Sequence, residues 1–447
     1  MGKYFGTDGF RGEANKELTA THAFKIGRYL GWYYSRERRG RIVIGKDTRR
    51  SSYMLEYALC AGICSSGADA YLLHVTTTPS VSFVVRTEDF DCGIMISASH
   101  NPYYDNGIKL MNSRGEKMGE DIIEKIESYL DGKTEELPLA SGENIGCTVD
   151  YVLGRNRYTG YVISLAKNSY KDKRIGIDAA NGSTWMLAKS IFDTLGAKTF
   201  VIGNSPNGLN INSDCGSTHL AALSRLVKEN NLDIGLAFDG DADRCLAVDE
   251  QGEIISGDNI IYFSAKYMKE RGELDKNTVA VTVMSNLGLF KALDREGIGY
   301  VKTDVGDKYV YEAMQREGYS LGGEESGHII FSKFGTTGDG LITAIKIMEV
   351  LMESKLPASK LSDGFIRYPQ MTKNIRVKDK DAPLSDPDVL LAKDEAEKLL
   401  SGRGRVLLRK SGTEPVIRIM AEAESREECE SIISGIAEVI RKKGYEV

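Results

Sequence analysis

The chain spells out one order of elements three times. "GIMISASHNPYYDNGIKLMNSRGEKMGEDII", "IGLAFDGDADRCLAVDEQGEIISGDNII" and "SLGGEESGHIIFSKFGTTGDGLI" each run apolar strand, polar loop, apolar strand, glycine turn, Gly-acid step and helix. The Gly-acid steps are Gly119-Glu120, Gly257-Asp258 and Gly338-Asp339. An acid there meets the positive end of the helix dipole. Repeats this far apart do not stack into a solenoid, so they read as three similar α/β domains, each offering one loop. Strand and helix patterns alternate through "RIVIGKDT", "ADAYLLHV", "RIGIDAAN", "KTFVIGN", "TVAVTV" and "YVKTDV". That rhythm predicts mixed, largely parallel sheets.

The rhythm breaks from about Ser362 to Asp379. A helix near Leu390–Leu400, strand "RVLLRK", loop "SGTEP", strand "VIRIMAEA" and a helix over Glu427–Lys443 follow. The expected fold is therefore α/β: three similar mixed α/β domains in tandem plus a smaller C-terminal α+β domain, around a central cleft. The expected domains are residues 1–150, 151–253, 254–365 and 366–447.

Composition narrows the partners. A net charge of −6, from 58 basic and 64 acidic residues, argues against a nucleic-acid coat but leaves room for a local anion pocket. Seven cysteines with no C-x-x-C pair read as reduced thiols in a cytoplasmic setting. Nothing resembles a signal peptide, and no stretch approaches the ~18 apolar residues of a membrane span.

The second loop, "FDGDADRC", sets Asp239, Asp241 and Asp243 at alternate positions after an apolar strand. Three like charges this close resist ionisation without a counter-charge. Their spacing matches part of an EF-hand, but the position that needs glycine is Arg244 and no helices flank it. Short carboxylates with an arginine beside them suit Mg²⁺ serving a phosphate, because Mg²⁺ keeps sites for substrate oxygens.

The equivalent loop of the first repeat is "SASHNP", with Ser99 after the strand and Pro102 halting it. A serine in the place where the next repeat holds a metal trio suggests a hydroxyl that carries or receives a phosphoryl group. The third loop, "GGEESGH", alternates Glu324, Ser326 and His328, donors and acceptors suited to sugar hydroxyls. The fourth, "RKSGTEPVIR", brackets a small-residue turn with two arginines. Arg409, Ser411, Gly412, Thr413 and Arg418 make an anion cradle without the glycine-lysine signature of a nucleotide loop.

Taken in order, "FGTDGFRG", "GKDTR", "SASHNP", "DGDADR", "GGEESGH", "TTGDG" and "RKSGTEP" resemble the α-D-phosphohexomutase superfamily over essentially the whole chain, and within it the phosphoglucosamine branch. Phe10, Glu325 and Lys308 depart from the residues common there. The resemblance implies a phosphoserine at Ser99, and one Mg²⁺ held by Asp239, Asp241, Asp243 and a phosphoserine oxygen. It implies sugar contacts from Glu324 and Ser326, with Arg244 and His328 also facing substrate. The Arg409–Arg418 loop would hold the phosphate not being transferred. The implied reaction interconverts glucosamine 6-phosphate and glucosamine 1-phosphate through a hexosamine 1,6-bisphosphate, which also serves as activator. The product would feed UDP-N-acetylglucosamine and cell-wall synthesis. His100, Lys109 and His328 are the candidates for proton transfer. A phosphosugar is the implied partner, with neither nucleic acid nor membrane, and a homodimer is left open. A mutase for mannose or glucose phosphates, and an inactive phosphosugar sensor, are the rival readings.

Overall fold

The computed structural model describes residues 2–411 and 415–447. The chain forms two compact units: Met1–Val283 with Ile298–Asp363, and Met284–Gly297 with Gly364–Val447.

Among the described residues the larger unit holds sheets of seven, five and four strands. Each contains the same four-strand motif. In the first, Arg41–Lys46 pairs in parallel with Asp69–Val75 on one side and Cys92–Ile96 on the other, and Asp105–Asn112 then adds antiparallel to Cys92–Ile96. In the second, Arg174–Asp178 lies between Lys198–Ile202 and Ile234–Phe238, both parallel, with Cys245–Asp249 antiparallel outside. In the third, Thr278–Thr282 lies between Gly299–Thr303 and Leu321–Gly323, with Ile329–Phe331 antiparallel outside. The triple repeat read from the sequence supplies the third and fourth strands of this motif, and each polar loop joins them.

The third strands Cys92–Ile96 and Ile234–Phe238 are buried along their whole length. Covered on both faces, such strands are continuous apolar runs without alternation. The helix after each hairpin starts where the Gly-acid step placed it, at Glu120, Gly257 and Gly340. The caps differ. Gly119 caps the first without a side-chain bond, Ser256 and Asn259 form a capping box on the second, and Asp339 accepts from Ile342 N on the third. Helix Gly340–Ser354 is apolar nearly all round and is correspondingly buried. Helices Ala20–Tyr34 and Arg50–Ser65 pack closely through glycine: a Cβ at Gly62 would stand 2.2 Å from the Phe24 carbonyl oxygen.

The smaller unit has a three-stranded antiparallel sheet, with Val416–Glu422 between Gln370–Arg376 and Arg405–Lys410. The segment that interrupted the sequence rhythm supplies Gln370–Arg376 as its first strand. Helices Pro387–Leu400 and Arg426–Lys442 cover a core of Ile375, Val389, Ile417, Ile419 and Ile433. Helix Leu287–Arg295 also belongs to this unit, where Leu287 N donates to Glu422 Oε2 at 3.1 Å.

Candidate active site

The loops of the three repeats meet. Ser99 Oγ donates to Asp239 Oδ2 at 2.5 Å across 140 positions of sequence. Asp239, Asp241 and Asp243 are buried, and one carboxylate oxygen from each lies within 4.8 Å of the others. Ala242, between the second and third, takes a left-handed φ of 57°, and its carbonyl accepts from Gly340 N at 2.9 Å.

Charge balance is met partly by Lys109, on the antiparallel strand after the serine loop. Its Nζ lies 2.8 Å from Asp241 Oδ2, 3.3 Å from Asp243 Oδ2 and 3.4 Å from Asp8 Oδ2. Burial works against the ammonium, but Asp241, Asp8 and Asp243 outweigh it and hold the proton tightly. Asp239 behaves oppositely: burial, then Asp243 and Asp241, push its pKa well above the carboxylate range. For Asp243 burial is outweighed by Lys109, His328 and Arg244, and it stays ionised.

Asp241 Oδ1 and Asp243 Oδ1 are buried without a hydrogen-bond partner. Orphaned carboxylate oxygens are costly, and here they converge with an Asp239 carboxylate that is hard to ionise alone. The donor set is all oxygen. These residues fit a hard divalent cation such as Mg²⁺.

Two histidines flank the cluster. His100 Nδ1 lies 3.4 Å from Ser99 Oγ, and burial, followed by Arg244 and Arg11, lowers its pKa to about 4. His328 is buried on the third loop, with Nδ1 3.8 Å from Asp243 Oδ1 and Nε2 3.7 Å from Asp307 Oδ2. Burial lowers its basicity, but Asp243, Asp307 and Glu324 raise it to about 9. Gly338 N also donates to Nε2 at 3.0 Å. That bond requires a bare Nε2 and so a neutral ring with its proton on Nδ1, facing Asp243, whereas the surrounding carboxylates favour the doubly protonated ring.

Glu324 accepts from Gly306 N at 3.2 Å, and burial raises its pKa. Ser326 Oγ is buried with no hydrogen-bond partner. Arg244 N donates to Asp239 Oδ1 at 3.2 Å, and its guanidinium lies 3.8 Å from Asp243. Thus Ser99, His100, Lys109, the three aspartates, Arg244 and His328 are brought together, with Glu324 and Ser326 on the adjoining loop.

Arg409, Ser411 and Arg418 lie in the smaller unit. Arg409 and Arg418 are directly opposite on adjacent strands. Like charges so placed repel, and burial plus Arg418 lower the Arg409 pKa. Ser411 is buried. Gly412 and Thr413 lie outside the described residues.

Sequence reasoning passed over four residues of this site. Asp8 pairs with Arg11 and Lys109, and Lys117 bridges Asp8 at 3.4 Å and Asp307 at 2.7 Å. Asp8 and Arg11 were within reach, since both stand in "FGTDGFRG". Lys117 and Asp307 are remote in sequence and carry no local signal.

Four domain models of one family match in chain order. Phosphoglucomutase/phosphomannomutase α/β/α domain I covers residues 2–137, domain II 156–252, domain III 256–368 and the C-terminal domain 373–439. The chain belongs to the phosphoglucomutase/phosphomannomutase family. Members of this family are phosphohexomutases, and the chain is accordingly an isomerase. It is 62% identical over 450 residues to a phosphoglucosamine mutase of Lachnospira eligens, covering 100% of both chains. It is 59% identical to a phosphoglucosamine mutase of Lachnoclostridium phytofermentans, covering 100% of this chain and 99% of that one. A crystal structure of a family protein from Burkholderia thailandensis superposes with a TM-score of 0.82 at 24% identity, covering 98% of this chain and 97% of that one. That likeness shows the shared family fold.

Proposed function

We propose that the chain interconverts glucosamine 6-phosphate and glucosamine 1-phosphate, with Ser99 as the phosphoryl carrier. The full-length identity to phosphoglucosamine mutases supports the substrate. The observation that carries the chemistry is the Ser99 hydroxyl bonded to Asp239 inside a buried carboxylate trio. Asp239, Asp241 and Asp243 would hold Mg²⁺. Bound there, the ion would neutralise phosphoryl oxygens and polarise phosphorus.

In the first half-reaction the bond from Ser99 Oγ to phosphorus breaks and a bond to the sugar O1 forms, giving hexosamine 1,6-bisphosphate. The O1 proton passes to a base, and the leaving Ser99 Oγ takes a proton. In the second half Ser99 Oγ gives up that proton and bonds to the phosphorus of the 6-phosphoryl group, the bond from O6 to phosphorus breaks, and O6 takes a proton. His100, neutral and beside Ser99 Oγ, suits the acceptor. Lys109, which its carboxylates hold protonated, and His328, through its Nδ1 proton, suit the donor. Arg244 faces the transferred phosphate, Glu324, Ser326 and His328 the sugar ring. Arg409, Ser411, Gly412, Thr413 and Arg418 bind the phosphate that stays. The same bisphosphate serves as activator by restoring phosphate to unmodified Ser99. None of the described helices is long and apolar enough to cross a membrane.

Intact-mass measurement tests the carrier. Wild type should bear one phosphate that Ser99→Ala lacks, and the variant should lose nearly all turnover while remaining folded. A Ser99→Ala protein with comparable activity overturns this reading.

A further inference from the structure

Ser99 sits where its chemistry and its backbone disagree. Asn101 N donates to the Ala98 carbonyl at 3.1 Å, closing a turn with Ser99 at its first central position. Ser99 has a φ of 52°. A left-handed first central residue is a glycine position, because a Cβ crowds the following carbonyl there. Glycine has no hydroxyl, so a nucleophile at this position must be held against its own preference. Backbone strain of this kind persists only when the surroundings over-determine it.

The surroundings supply two forked donors on one pair of carbonyls. Arg49 Nη2 donates to Ser99 O at 3.2 Å and to Asn101 O at 2.6 Å. Asn212 Nδ2 donates to the same two oxygens, at 2.9 and 3.0 Å. Both side chains are buried. Arg49 is itself oriented by Asp47, whose carboxylate also accepts from Ser97 Oγ at 2.7 Å. Ser97 Oγ in turn accepts from Ser99 N at 2.9 Å. Asn212 comes from the second repeat. It is left-handed too, with a φ of 59°, and its N–H donates to Ala180 O at 2.9 Å. Gly240, between Asp239 and Asp241, closes the arrangement: a Cβ there would lie 2.5 Å from Ser99 O and 3.0 Å from Asn212 Nδ2.

We infer that Asn212 and Arg49 are positioning residues for phosphoryl transfer. They hold Ser99 in its left-handed turn, so that Oγ is aimed at the aspartate trio only while the first two repeats are docked. Neither needs to touch the sugar or the reacting phosphorus. Asn212 ties the serine turn to the second repeat, where its own N–H is held by Ala180 O. The inference rests on Ser99 being the phosphoryl carrier.

The test uses full-length protein and three variants. Asn212→Gly keeps the left-handed backbone and deletes the donor. Arg49→Lys keeps the charge beside Asp47 and deletes the fork. Ser99→Gly removes the conformational conflict. Misaiming a reacting group by about 1 Å can cost on the order of 10²-fold. Both positioning variants should therefore lose 10- to 100-fold or so in kcat, with KM for glucosamine 6-phosphate within about twofold. Loading with glucose 1,6-bisphosphate, followed by intact mass, should show phosphate arriving on the same serine but more slowly. Asn212→Gly should lower the melting temperature in the Ser99 protein and much less in the Ser99→Gly background, because glycine needs no holding.

Wild-type kcat in both variants overturns the inference. So does an equal melting-temperature loss in both backgrounds, which would make Asn212 ordinary packing. If Ser99→Ala still takes up phosphate, the carrier assignment itself fails, and that outcome is distinct from either.

Discussion

Lys109 stands 2.8 Å from the Asp241 carboxylate and 3.3 Å from that of Asp243. It therefore competes for, and partly replaces, the charge that a metal would bring. Removing one partner of a buried ion pair costs about 3–5 kcal/mol, because it strands the other. Lys109→Met should be destabilised by an amount of that order and nearly inactive. Added Mg²⁺ should raise the variant's melting temperature more than wild type's. Equal shifts in calorimetric scans would separate Lys109 from the metal site.

Asp241 takes two hydrogen bonds through one oxygen, from Thr78 Oγ1 and Lys109 Nζ, and leaves the other unpartnered. Asp241→Asn should weaken Mg²⁺ binding and slow phosphoryl transfer by at least tenfold while sugar binding persists. Chelator added to wild type should reproduce the loss, and Mg²⁺ should restore it. Full turnover in excess chelator would refute the metal assignment.

Asp339 caps its helix in a buried setting, where burial raises its pKa to about 6 despite bonds from Ile342 N and the Tyr158 hydroxyl. Its folded pKa exceeds its unfolded value. The stability this group lends is thus complete below about pH 4 and is lost as pH rises through about 6. Asp339→Asn keeps an acceptor for the cap without the charge. It should flatten this group's share of the pH dependence between 4 and 6 and gain on the order of 1–3 kcal/mol at pH 7. Urea unfolding at pH 5 and 7 reads both; a variant less stable than wild type at pH 7 contradicts it.

Glu324 decides the sugar in our reading. The amine of glucosamine is largely protonated near neutral pH, and a carboxylate beside it forms a charge-assisted hydrogen bond. Wild type should favour glucosamine 6-phosphate over glucose 6-phosphate in kcat/KM by roughly tenfold or more, about 1.4 kcal/mol. Glu324→Gln should narrow the gap while slowing both reactions. Equal handling of glucose or mannose 6-phosphate by wild type would favour the broader phosphohexomutase activity.

The candidate site residues were legible because they lie on loops next to buried strands, where polar side chains have no packing reason to be. Asp239, Asp241, Asp243 and Ser99 stand out against the apolar runs before them. The hairpin of each sheet was legible through the repeat, since one strand-loop-strand order recurs; the order of the parallel strands beside it was not. Lys117 and Asp307 were not legible, because their 2.7 Å contact joins segments from different repeats and neither sequence neighbourhood is unusual. Asn212 was hidden for another reason: it acts on backbone carbonyls, which have no side-chain signature.

The threefold recurrence of the four-strand motif also bears on how the chain reaches this structure. Each copy's third strand is a fully apolar or glycine-bearing ribbon that accepts a parallel neighbour on one side and an antiparallel one on the other. Before the copies separate into their own sheets, a fourth strand from one can dock on the third strand of another. Such misassembly is the characteristic failure of repeated domains. Synthesis from the N-terminus lets each copy complete before the next emerges, an order that dilution from denaturant does not supply.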